Sequence, residues 1–157
     1  KVYTPLNFMK QLEINKLIKE GYIQVLITIQ VQGNDEAGVD KTTRKQIDEI
    51  LEIGKEISAK IVSPQKIDKE IKWFSQYAEI EILLEDPDRV FDIILDYMVS
   101  SVEIIAPKEF TINTQTHQDR LNDLIIKMRE SEEFILGLAA QKKVLEAEIQ
   151  NQKTKQQ

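Results

Sequence analysis

Residues 22–32, YIQVLITIQVQ, alternate without interruption. Ile23, Val25, Ile27, Ile29 and Val31 fall on one side, and Gln24, Thr28 and Gln30 on the other. A period of two predicts a strand with one buried face. A central strand of a parallel sheet covered on both faces would be apolar throughout, so the pattern predicts a sheet covered on one side, with the polar set facing solvent or a partner. At about 35 Å this strand is roughly twice the length of its expected neighbours, so its excess needs a pairing partner. Glu79–Glu85 alternates in the same way, with Ile80, Ile82 and Leu84 inward.

Two short stretches echo each other. AKIVSPQKI (59–67) and VEIIAPKEF (102–110) each run from a β-branched strand into a small residue and proline. Proline cannot donate to a sheet ladder, which sets where pairing stops. The strands expected here are Ala59–Ser63 and Val102–Ala106.

Helical spacing fills the intervals. Thr4-Pro5 is a cap followed by proline at the first helical position, Leu6, Met9, Leu12, Leu17 and Ile18 follow, and Gly21 is a C′ residue. GNDEAGVDKTT (33–43) reads as a loop with Asp40 or Thr42 capping a helix that carries Ile47, Ile50, Leu51 and Ile57. Residues 64–77 read as a linking helix, with Ile67, Ile71 and Phe74 on one stripe. Asp86-Pro87 caps a helix carrying Val90, Phe91, Ile94, Leu95 and Met98.

Strand–helix–strand therefore occurs twice, in 22–63 and 79–106, which predicts the α+β class: a ferredoxin-like βαβ-βαβ antiparallel sheet. The expected organisation is an N-terminal helix (1–21), the ferredoxin-like domain (22–112), and a long C-terminal amphipathic helix with a polar tail (113–157).

The last segment changes period. Leu121, Leu124, Met128, Ser131, Ile135, Leu138, Lys142, Leu145 and Ile149 are spaced three and four apart, as a and d of successive heptads. Four heptads span roughly 40 Å, too long for a small domain to cover. β-branched residues at a and leucine at d favour a two-stranded parallel coil, and Lys142 can lay its stem along such a seam. The competing expectation is a fold-back onto the domain, with Ile125 and Phe134 widening the stripe.

The 157 residues carry a net charge of −6, and residues 79–110 hold nine acidic against two basic residues. An acidic module repels phosphate backbones, so nucleic acid is not an expected partner. No run of about 18 apolar residues occurs, so neither is a membrane. Cysteine is absent, which removes disulfides, thiolate nucleophiles and thiolate metal ligands and fits a reducing cytoplasm.

Candidate chemistry fails on spacing. Gly33, Gly38 and Lys41-Thr42 mimic a phosphate loop, but Val39-Asp40 separates glycine from lysine and Asp35, Glu36 and Asp40 bring the wrong charge. His117, the one histidine, lies two residues from Asp119, whereas paired ligands on a helix need three or four. Thr114 or Thr116 is expected to cap the long helix, leaving His117 in its exposed first turn. Glu79, Glu81 and Glu85 share a strand face about 6.6 Å apart at alternate positions, but as a wet surface. Trp73, Phe74 and Tyr77 cluster as core or as an aromatic patch.

No catalytic, cofactor or metal residues are assigned. The expected function is non-catalytic: an oligomerisation or adaptor module forming a homo-oligomer, favouring a dimer, through Leu121, Leu124, Met128, Ile135, Leu138, Leu145 and Ile149, with room for another protein partner. The alternative is a regulatory small-molecule sensor using the open sheet face, by analogy with ferredoxin-like domains of the ACT type.

Overall fold

The computed structural model of the protein describes residues 11–68, 70 and 72–155. Its elements are α1 (Gln11–Lys19), β1 (Ile23–Gly33), α2 (Glu36–Ile53), β2 (Lys55–Ile61), β3 (Gln65–Asp68), β4 (Trp73–Leu84), α3 (Arg89–Asp96), β5 (Val99–Ala106) and α4 (Thr114–Lys155). The chain divides into a unit ending at Thr114 and a second beginning at Gln115. The predicted start at Thr4-Pro5, with Leu6 and Met9, lies outside the described residues, as does Ile71.

The class is α+β, an antiparallel five-stranded sheet with helices. Its order is β2-β4-β1-β5, with β3 also on β4. The two βαβ units thus interleave, each placing one strand between the two strands of the other. That order is compatible with the ferredoxin-like arrangement. The echoed segments end its two outer strands, β2 and β5.

β1 and β4 form the axis. All eleven residues of β1 pair with β4, from Ile23 opposite Leu84 to Gly33 opposite Phe74. The long first strand finds its partner here. Ile23, Val25, Ile27 and Ile29 of β1 meet Ala78, Ile80, Ile82 and Leu84 of β4, with Ile47 and Ile50 of α2 and Ile93 of α3 packed on them. The side predicted to be inward is the buried one.

The segment 64–77 is not a helix. β2 and β3 are two stretches of one edge, both antiparallel to β4: Ile61 faces Ala78, Val62 N–H donates to Tyr77 O, and Gln65 faces Ser75. Pro64 interrupts this edge because it has no N–H to offer. β4 begins at Trp73, six residues before the predicted Glu79. The Ile67, Phe74 spacing mimicked a helical stripe, yet Ile67 is exposed. Trp, Phe and Tyr are strand formers, and the length of β1 demanded a partner this long.

Three further expectations change. Asp35, not Asp40 or Thr42, caps α2, its Oδ2 accepting from Gly38 N–H at 2.9 Å, so most of the supposed loop is helix. Asp86 is not the α3 cap. Its Oδ1 accepts from Asp88 N–H at 2.9 Å in a turn, and the cap position falls on Asp88. β2 and β5 each start earlier than predicted, at Lys55 and Val99.

The second sheet face is not wholly open. Ile14 and Leu17 of α1 pack with Ile57 and Leu83, joined by Ile18 and Tyr22. A register shift between Glu56 and Ser58 moves Ile57 off the face of Ala59 and Ile61. α1 is held at its end by Gly21 in the left-handed region, φ 105°. Tyr22 N–H donates to Leu17 O and Gly21 N–H to Ile18 O, both at 3.1 Å, which satisfies the last carbonyls.

Close packing at Gly54 closes the joint between α2 and β2. A Cβ there would lie 2.7 Å from the Leu83 carbonyl oxygen. Gly54→Ala is therefore expected to cost about 2 kcal/mol through backbone displacement. Gly137→Ala, with nothing within 4 Å, should gain up to about 1 kcal/mol of helix propensity. Thermal unfolding of both variants checks the contrast. Ile27→Asp buries an unpaired carboxylate and should cost about 3–5 kcal/mol, against about 1 for Gln30→Asp. Similar urea midpoints for these two would refute the assignment of faces.

Candidate functional site

Most of the described polar groups on the second sheet face satisfy one another. Gln24, predicted to face outward, is buried, and its Nε2 donates to Glu81 Oε1 at 2.6 Å. Ser58 Oγ donates to Glu81 Oε2 at 3.1 Å. Further along, Gln30 Nε2 donates to Tyr77 Oη at 2.6 Å and Ser75 Oγ at 3.0 Å. Glu81 is thus a cross-strand acceptor, Glu79 is exposed opposite Lys60, and Glu85 lies beyond the end of β4. The three glutamates do not form a cluster. Trp73 and Tyr77 share this face, whereas Phe74 points to the other side, so the aromatic trio is also separated. A shallow cavity of about 280 Å³ is lined by Thr28, Lys60, Val62, Tyr77 and Glu79.

On the helical side, Gln76 is buried beneath α2. Its Nε2 donates to Asp40 Oδ1 at 2.9 Å and to Val62 O at 2.8 Å. Asp40 also accepts from Arg44 Nε at 2.8 Å. The Arg44 guanidinium and then the Gln76 amide hold the Asp40 carboxyl below its ordinary pKa. Asp40 therefore ties helix to sheet, a structural task that no sequence motif signals. Another cavity, about 230 Å³, lies at the start of α2 between Gly33, Asp35, Gly38, Thr42 and Met98. Asp35 places a carboxylate on its wall.

His117 sits half-buried in the first turn of α4, not exposed, and Asp119 accepts from Gln115 Nε2 at 3.1 Å. Thr114 and Thr116 both lie inside the helix. Among the described residues no group of three or more His, Cys, Asp or Glu side chains is placed to hold a metal ion, and no helix is long and apolar enough to cross a membrane.

The seam residues converge differently. α4 is one helix of 42 residues, continuous through Gly137. It carries Leu121, Leu124, Met128, Ile135, Leu138, Leu145 and Ile149 on one stripe. All but the half-buried Leu124 are exposed, Met128 at 59% and Ile135 at 63%. Single exposed apolar residues are ordinary; here seven lie along one stripe, interrupted by Ser131 and Lys142. Sequence spacing selects these residues and passes over Leu136 and Val144, which are just as exposed and lie off the stripe.

No curated protein and no solved structure matches the chain. The MJ0538 family matches residues 24–154, from the second residue of β1 to the last turn of α4. The match takes in both units, and the chain belongs to the MJ0538 family.

Proposed function

We propose that the protein is a non-catalytic oligomerisation or adaptor module that self-associates through α4. The observation that carries this reading is the a/d stripe from Leu121 to Ile149, repeated over four heptads and exposed except at the half-buried Leu124. A coiled-coil seam is stable only against another helix, because each knob needs a hole of four residues to fill. Isoleucine at Ile135 and Ile149 and leucine at Leu124, Leu138 and Leu145 favour two parallel strands. Lys142 fits the same seam, its Nζ 3.7 Å from Glu146 Oε1.

The sheet cavity between Thr28, Lys60 and Tyr77 favours the second reading, a small-molecule sensor. A ligand held there would raise the melting temperature in a metabolite screen, since binding the folded state stabilises it.

Sedimentation equilibrium tests the first reading. The full chain should sediment as an oligomer at about ten micromolar, a concentration that a Kd near or below 1 μM, about −8 kcal/mol, would sustain. Leu138→Glu combined with Leu145→Glu should give a folded protein with less association. An unmodified chain that is monomeric at that concentration would rule the module out in favour of a folded-back helix.

A further inference from the structure

A two-stranded coil leaves the rest of each helix in water, and α4 is not built for that. Phe134 to Ala140, FILGLAA, is one complete heptad without a polar side chain. A helix that is apolar all round is a buried helix. Leu136, at position b, is 69% exposed, and a single a/d seam does not reach it.

A second stripe lies beside the seam, at positions b and e of the same heptads. Its central part reads Arg129, Glu132, Leu136, Ala139, Lys143, Glu146, spaced three and four apart, with Asn122 and Ile125 before it and Gln150 after it. These side chains are exposed. Read in reverse, this central part is Glu, Lys, Ala, Leu, Glu, Arg: every charge meets its opposite and the large apolar residue meets the small one. An antiparallel copy, related by a two-fold axis between Leu136 and Ala139, thus sets Arg129 against Glu146, Glu132 against Lys143 and Leu136 against Ala139. A parallel copy sets each charge against itself, which is repulsive.

We infer that two parallel α4 pairs join antiparallel through this stripe, so that the assembled protein is a tetramer with a four-helix bundle at its centre. The occupant of the stripe is a second copy of the chain. Both contacts are two-fold and lie on adjoining sides of the helix, which closes the assembly instead of extending it. The exposed ion pairs select the orientation, and the apolar centre supplies the affinity. Positions c, f and g, which carry Phe134, Gly137, Ala140, Gln141 and Val144, lie outside both contacts.

The inference rests on self-association through the seam, and the test separates the two. Light scattering of the full chain should give the mass of four chains. Leu136→Glu lies off the seam and should give two, with helix content unchanged by circular dichroism. At low salt, Glu132→Lys or Lys143→Glu alone should weaken the tetramer at least threefold, and the double exchange should restore it, an outcome that only antiparallel pairing allows. A wild-type dimer unchanged by Leu136→Glu would overturn the tetramer and leave the seam standing. A tetramer indifferent to Leu136→Glu, or one that the double exchange fails to rescue, would also overturn it. A wild-type monomer would remove both.

Discussion

The sheet domain depends on the pairing of β1 with β4. Eleven consecutive pairs bring the branched residues of β1 onto those of β4, and a face of isoleucine, valine, leucine and alanine is left that must be covered. α2 and α3 cover it because Ile47, Ile50 and Ile93 return to the same side. A one-residue slip in this register would turn every inward isoleucine to solvent. The other strands are placed by what remains: β2 and β3 take the free side of β4, and β5 the free side of β1.

The same pairing explains which parts of the fold were legible. Strict alternation in β1 is decisive because period two has no helical counterpart over eleven residues. The buried faces of β1 and β4 followed directly. The segment 64–77 misled because Pro64 is equally good at the start of a helix and in an interrupted edge strand. Its apolar residues are too few to settle a period. The length of β1 did contain the correction, since a strand of that length requires a partner beyond Glu79.

Leu83 shows a subtler signal. By parity it belongs among glutamates on an open face, yet it is fully buried. An apolar residue out of phase in an alternating strand marks a local cover, here α1. The register shift beside Ile57 serves the same contact by turning a second apolar side chain to that face. Gln24 and Gln76 were illegible for the opposite reason. Their burial depends on partners far along the chain, Glu81 for one and Asp40 and Val62 for the other.

The two units differ in how completely they satisfy themselves. In the sheet domain, the inward side chains of β1 and β4 are buried, whereas Leu12, Val62, Ile67, Tyr77 and Met98 are exposed, and the polar face is largely bonded internally. The few exposed apolar residues near the edge strand β5, Ile104 and Ile105, sit beside Glu103, and charge on an edge discourages further strand addition. In α4 the balance is reversed. Its backbone is satisfied along the helix, but its apolar side chains are exposed and ordered by heptad. The proposed self-association rests on this heptad order, and the proposed choice of this same chain as partner rests on the self-complementary order of Arg129, Glu132, Lys143 and Glu146.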